Sequence, residues 1–423
     1  MTGALSALFA LLLGTSLFVA GSGLLTTALS LKADEIGFTG SMTGAIMSAY
    51  FLGYIVATYW CPRIVERAGH VRAFSAFAAT AAAAVMLHTL TSSAAVWMLL
   101  RFVTGAAVVG LYMVIESWLN ERSSNEIRGR VFAVYQVISL LALGVGQYFL
   151  LLPSAEPLAP FIVAGALFSI GLVPVVLTRV EHPRPITAVR LHLGRLWNLS
   201  PLSVAGTFTV ALGNAALMTL GPAFGQRLGF GSIEVVLFMS LVFAGGVAFQ
   251  WPIGHLSDTW DRRTVILLVS LGGALLAFLA WFFVDRTVAA FLVVMFGYGG
   301  AAFALYPLCV ANANDHGDAS SFVATASSLL LVYGIGAAIG PLVAGALLQA
   351  FGPGSLPLFL AAMQLALAGF VAARKAIKRS PPAAAQEPFV MLGRTSQSAL
   401  EMLASDLESS AAAKDEQEAR ARG

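Results

Sequence analysis

Residues 5–31, 201–224 and 320–373 contain no charged side chain. A water-soluble fold keeps a polar stripe on each surface helix, so uninterrupted apolar runs of this length leave that solution closed. About 20 consecutive apolar residues cross the hydrocarbon core of a bilayer as a helix, because a helix satisfies its backbone hydrogen bonds within itself. Only 11% of the 423 residues are charged, against about 25% in soluble domains, too few to cover a surface in water. The chain therefore reads as an all-α membrane protein embedded in the lipid bilayer. Residues 1–23 lack the basic start of a secretory signal and read as part of the first span. The net charge of +3 predicts no nucleic-acid partner. Cys61 and Cys309 have neither metal nor redox spacing, so packed thiols are expected, with no cofactor and no metal.

Apolar blocks between polar punctuation predict twelve spans, near residues 5–30, 41–60, 73–92, 96–118, 131–152, 160–178, 201–224, 235–253, 264–284, 288–311, 320–350 and 356–373. Lys and Arg in the loops set their direction. With the N-terminus in the cytoplasm, the inner loops and the segment after the last span hold sixteen of these residues, from Arg63 to Arg379. The outer loops hold Lys32, Arg227 and Arg286 alone. This asymmetry predicts a multi-pass protein of the bacterial inner membrane with both termini cytoplasmic. Beyond Arg379 a Pro/Ala linker leads to a polar tail. Its Leu400, Leu403 and Leu407 share one helical face, which suits either a docking element or a solvated, fraying helix.

An internal repeat divides the spans. Phe51-Leu-Gly53 in span 2 recurs as Phe243-Ala-Gly245 in span 8, an offset of 192. Gly105 with Leu111-Tyr112 in span 4 recurs as Gly299 with Leu305-Tyr306 in span 10, and Gly146-Gln147 in span 5 aligns with Gly340-Pro341 in span 11, both at 194. The common offset predicts two pseudosymmetric six-helix bundles, residues 1–178 and 201–373. A cytoplasmic linker, 179–200, joins them, and a largely disordered cytoplasmic tail, 374–423, follows. Both halves begin on the same side. Carriers built from such parallel repeats hold their substrate near the midplane between the halves and expose it alternately.

The loop after span 8 reads Gly254-His-Leu256-Ser257-Asp258-Thr-Trp-Asp261-Arg262-Arg263. It resembles the major facilitator superfamily signature Gly-x-Leu-Ser/Ala-Asp-Arg/Lys-x-Gly-Arg-Arg, with Thr259 and Asp261 departing from it. The loop after span 2, with Glu66, Arg67, Gly69 and Arg72, is a looser copy. The resemblance implies the twelve-helix fold of that superfamily over residues 1–373 and a gating role for these loops. Asp258 is placed to be attracted to the positive N-terminal end of span 11, and Glu66 to the start of span 5, Arg128 or Arg130. The alternative is that these loops are anchors and turns alone. Arg101-Phe-Val with Glu116-Ser, Gln250-Trp-Pro-Ile-Gly254 and Leu305-Tyr306-Pro307 look like the YcaD-like group of bacterial carriers within the superfamily.

Arg101 and Gly105 resemble the superfamily's Arg-x-x-x-Gly signature of span 4, in which the arginine is implicated in proton coupling. Arg101, Gly105, Val108 and Tyr112 fall on one helical face, which either lines a cavity or lets Arg101 reach the outer headgroups. Glu116 is the carboxylate inside a span, and fifteen residues, about 22 Å of helix, separate it from Arg101. It suits a coupling-proton carrier, or a structural acid tied to Arg122, Arg128 or Arg130. Gln136, Asn214, Tyr298 and Tyr306 are polar mid-span groups that suit either a cavity or hydrogen bonds between helices. Gly336, Gly340, Pro341 and Gly345 in span 11 resemble the Gly-Pro motif that drug–proton exchangers carry in span 5, and read first as a packing device. His88 reads as structural.

No phosphate-binding Gly-x-x-x-x-Gly-Lys-Ser/Thr run occurs, so an ion or substrate gradient must supply the energy. The expected function is secondary active transport of a small organic solute by alternating access, proton-coupled, with the protein acting as a monomer. A membrane enzyme would need clustered His, Asp, Glu or a nucleophile inside the spans. A transporter-like sensor signalling through its tail is the alternative.

Overall fold

In a computed structural model, the described residues are 2–123, 127–153, 156–177, 193–316, 322–377 and 389. The first half holds α1 (Thr2–Glu35), α2 (Gly40–Ala68), α3 (His70–Leu87), α4 (Ala94–Arg122), α5 (Arg128–Tyr148) and α6 (Ala159–Leu177). After a short α7 (Leu193–Leu199) come α8 (Pro201–Arg227), α9 (Ser232–Thr259), α10 (Arg262–Phe283), α11 (Val288–Asn314), α12 (Phe322–Phe351) and α13 (Ser355–Ile377). Among the described residues, twelve helices are long and apolar enough to cross a membrane, in the order read from the apolar runs. Residues 179–192, most of the expected linker, and the stripe of Leu400, Leu403 and Leu407 lie outside the described residues.

Local chemistry sets the helix boundaries. Thr39 Oγ1 accepts from Met42 N at 3.3 Å to start α2, and Asp261 Oδ2 accepts from Thr264 N at 3.2 Å to start α10. Each satisfies an amide that the first turn leaves free. The turns α1–α2 and α8–α9 close on Gly37 and Gly229 at φ 82° and 83°, a backbone region that glycine enters without a side-chain penalty. These two glycines are also repeat mates.

The repeat is a repeat of helix crossings. Gly53 of α2 faces the Phe102 carbonyl of α4, and Gly105 of α4 faces the Tyr50 carbonyl of α2. Their mates do the same between α9 and α11, Gly245 against Phe296 and Gly299 against Val242. Gly146 of α5 lies on Ala20 of α1 as Gly340 of α12 lies on Leu212 of α8. A methyl at any of the six would run into backbone. Lipid offers no hydrophobic force between helices, so close backbone approach over small residues supplies the van der Waals energy instead.

Some repeat mates touch each other. Arg227 Nε pairs with Asp34 Oδ1 at 2.6 Å, and Ala223 N donates to Ser30 Oγ at 3.2 Å; both pairs are 193 residues apart. Residues can meet their own mates only beside the pseudo-twofold axis, so α1 and α8 flank it. The halves also meet through α2 with α12 and α5 with α9. Helices α3, α6, α10 and α13 pack principally within their own half. From α6 and α10, large apolar side chains such as Ile162, Ile170, Leu275 and Phe278 are exposed, as a lipid-facing surface requires.

Candidate functional site

The bundle has two unlike ends. The basic end carries the α2–α3 and α9–α10 turns with their arginines; the distal end carries the α1–α2 and α8–α9 turns. Exposed Trp60, Trp251 and Trp260 stand near the basic end, as indole rings do at a membrane–water boundary.

The halves are joined on the distal side. Beside the Asp34–Arg227 pair, Ser41 N donates to Gln349 Oε1 at 3.2 Å and Ser240 Oγ to Gly144 O at 3.0 Å. Gly40 and Gly44 of α2 press on Gly345 and Pro341 of α12. Gly336 and Gly340 pack on α8 at Phe208 and Leu212. The small residues of span 11 therefore pack α12 on two sides, one of them the seam between the halves. On the basic side of this seam the halves enclose a cavity of about 270 Å³. Its wall draws on both halves, among them Tyr50 and Gln136 from the first and Gln250 and Ser327 from the second, and it reaches the exposed Tyr59.

Arg101 belongs to this wall. It is 2% exposed, with its guanidinium carbon 4.5 Å from the centroid of the Tyr50 ring, so it faces the interior rather than the outer headgroups. Its Nε has no hydrogen-bond partner, and none of the ion pairs among the described residues includes it. Gln136 lines the cavity with Nε2 likewise unpartnered. A buried donor left unmet costs roughly 1–3 kcal/mol, and the Ser22 and Ser327 hydroxyls on the same wall are unpartnered too.

Other expected wall residues lie elsewhere. Tyr112 lines the cavity, but Gly105 is pressed on α2 and Val108 is wholly buried behind the wall. Asn214 Nδ2 donates to Ala302 O at 2.9 Å, tying α8 to α11, and shares with Tyr298 a separate void of about 10 Å³. Tyr306 is fully buried and meets Tyr333 edge to face, and it is Tyr333 that lines the cavity. A mid-span polar residue signals depth in the membrane; which way its helix face turns depends on neighbours far away in sequence.

Glu116 is fully buried and accepts a hydrogen bond from the Tyr135 hydroxyl at 2.8 Å. Of the arginines expected beside it, Arg130 is exposed, and the side chains of Arg122 and Arg128 lie outside the described residues. His88 Nδ1 lies 2.7 Å from Ala84 O with its ring between Trp97 and Phe161, a packed position in the first half.

The acidic–basic loop after α9 braces the second half. Arg262 Nη1 pairs with Asp315 Oδ1 at 2.5 Å, the side chains 1% and 2% exposed, while Nη2 reaches Asp258 at 3.5 Å. Arg263 Nη2 lies 2.9 Å from His316 Nε2, and Lys375 of α13 pairs with Asp261 at 3.0 Å. Asp258 accepts from the backbone N of Phe389 at 2.7 Å; residues 317–321, just before α12, lie outside the described residues. The Phe389 ring packs over Gly254, in the space that a side chain there would take. In the looser copy after α2, Glu66, Arg67 and Arg72 are exposed. Asp315, His316, Lys375 and Phe389 belong to none of the motifs in the sequence. The signal available was an Asp-His pair ending span 10 close to the arginine loop in the predicted topology.

Twelve spanning helices in two pseudosymmetric bundles around a central cavity define a membrane transporter rather than an enzyme. The sequence matches the family model described as the Major Facilitator Superfamily over residues 11–334, and the chain belongs to that superfamily. A Salmonella heidelberg (strain SL476) protein named uncharacterized MFS-type transporter YcaD is 26% identical over 360 residues, covering 84% of this chain and 92% of the relative. Its counterpart in Salmonella agona (strain SL483) matches with the same identity and coverage. Among solved structures, the nucleoside transporter NupG aligns with a TM-score of 0.73 at 15% identity, covering 88% of this chain and all of its own. A D-xylose–proton symporter aligns at 0.70 and 15%, covering 91% and 99%. At such identities the likeness speaks to the fold.

Proposed function

We propose that this protein is a secondary active transporter that moves a small organic solute across the bacterial inner membrane by alternating access, coupled to protons. The observation that carries the reading is the cavity between the halves, sealed by the distal seam and continued toward the basic end. By the loop charges, the basic end is cytoplasmic, which makes this the inward-facing state. Rocking of residues 1–178 against 201–373 about the α1–α8 axis would part the distal seam and close the basic side. The gating loops act within this scheme: the Arg262–Asp315 brace keeps the second half rigid while it rocks.

Glu116 is our candidate proton carrier, a buried carboxylate whose bonding partner Tyr135 belongs to a neighbouring helix. The test is solute-dependent proton flux in proteoliposomes, run beside solute counterflow. Glu116→Gln should abolish the proton flux and spare counterflow. Full proton flux in that variant removes Glu116 from the mechanism; absence of any solute flux across a broad metabolite panel removes the transporter reading itself. One observation favours the sensor alternative, the docking of Phe389 on Gly254 and Asp258. Deleting residues 378–423 separates the two, since a sensor loses its output while a carrier keeps its flux.

A further inference from the structure

We propose that the cavity takes an organic monoanion, a small carboxylic acid or an equivalent singly charged oxyanion on an apolar body, with Arg101 as its counter-ion. The proposal deepens, and rests on, the transporter reading. Arg101 is the one charged side chain of the cavity wall among the described residues; no carboxylate, lysine or histidine joins it there. A buried cation in a membrane protein is costly and calls for a partner. The Tyr50 ring offers a cation–π contact, which leaves the charge itself unneutralised. The buried acids are engaged elsewhere: Glu116 by Tyr135, about 22 Å along the helix, and Asp315 by Arg262.

A further unmet donor on the wall, Gln136 Nε2, points to the same chemistry. A planar guanidinium and an amide N–H want acceptor oxygens, and a guanidinium binds a carboxylate in bidentate fashion. The wall also carries hydroxyls and amides, among them Thr27, Thr58, Ser139 and Gln250, and between them stand apolar and aromatic side chains, Phe51, Leu140, Met218, Phe243 and Phe303, suited to a carbon skeleton. Charge balance fixes the valence. A neutral solute leaves Arg101 uncompensated, a cation adds to the excess, and a dianion overshoots it. The volume of about 270 Å³ falls just under the usual range of about 300–1,000 Å³ for ligand pockets, which selects a small acid.

The test uses the full-length protein in detergent with three matched probe pairs: benzoate and benzamide, hexanoate and hexanamide, phenylacetate and phenylacetamide. Ligand-induced thermal stabilisation is read at equal concentrations, because a ligand that binds the folded state alone raises the melting temperature. The acids should stabilise at concentrations at least about tenfold lower than their amides, the worth of one hydrogen bond to a charged group. Arg101→Lys should weaken this preference. Arg101→Gln should erase it, and so should Tyr50→Glu, which sets an internal carboxylate beside the guanidinium. If Arg101→Gln fails to elute as a single species, the other two variants carry the comparison. Amides matching the acids, or no acid binding at any pair, overturns the proposal. So does an acid preference that survives Tyr50→Glu. Labelling of a cysteine at the cavity mouth in lipid vesicles, run in parallel, reports whether access alternates. Acid binding without any change of access sinks the transporter reading alone, and a change of access driven only by neutral solutes sinks the anion site alone.

Discussion

Gly44 lies on the distal seam, where α2 of the first half meets α12 of the second, and a methyl there would run into the Pro341 carbonyl oxygen. Backbone cannot step aside as a flexible side chain can, so Gly44→Ala must open the seam locally. Overpacking of this kind costs roughly 1–3 kcal/mol. If the halves separate at this point in the alternative access state, that state escapes the cost. The substitution should then shift the access equilibrium about 5- to 150-fold toward the distal-open form. Gly53→Ala is the internal control, because its methyl meets the Phe102 carbonyl inside the first half. Both helices of that crossing move together, so the cost falls on both states alike and lowers stability without moving the equilibrium.

The assay starts from a chain with Cys61 and Cys309 replaced by alanine. A single reporter is then placed at Tyr59→Cys near the basic mouth or at Thr26→Cys deeper in the wall. An impermeant maleimide is applied from each side of sealed vesicles. Gly44→Ala should raise labelling of Thr26→Cys from the distal side and lower that of Tyr59→Cys from the basic side. Equal labelling in Gly44→Ala and its parent, with a lowered melting temperature, would show that the seam does not part. An access shift of the same size in Gly53→Ala would show that the clash does not discriminate between states, and the rigid-half argument would fail.

The Asp34–Arg227 pair is partly exposed, and such pairs contribute about 0.2–1 kcal/mol. Asp34→Asn should move the same labelling ratio by at most about fivefold, less at high salt, and the exchange Asp34→Arg with Arg227→Asp should restore it. Breaking the buried pair by Asp315→Asn leaves Arg262 without its near partner at a cost of roughly 3–5 kcal/mol. The melting temperature should fall well below that of Asp258→Asn, whose carboxylate is 35% exposed. Phe389→Ala removes the ring over Gly254, so protease added to the basic face should take the tail faster than in the parent; an unchanged rate would mean the ring does not hold the tail.

Much of the fold was legible because the bilayer imposes a one-dimensional rule. Each span must be apolar over its full length and close its own hydrogen bonds, so the spans and their order could be read without any knowledge of contacts. The repeat was legible for a related reason. Gly53, Gly105 and Gly146 and their mates sit where backbones touch, and no larger residue fits, so the same letters return at the same offset. The site was less so. Arg101 announced itself through the rarity of charge inside a span, as did Glu116. Tyr50, Gln250, Ser327 and Tyr333 gave no comparable signal, since the faces that join the cavity are chosen by helix rotation and by the opposite half.

By itself the sequence determined a membrane-embedded, twelve-span, twofold-repeated chain with one isolated arginine in its fourth span, because hydropathy, charge asymmetry and glycine spacing are properties of the chain alone. Only the tertiary structure decided that Arg101 stands without a carboxylate at a cavity shared by both halves, that Asn214 and Tyr298 face away from it, and that Asp258 meets Phe389. Each of these depends on the distance between residues scores of positions apart. Such a distance is set by how two bundles pack across a seam, which local sequence does not encode.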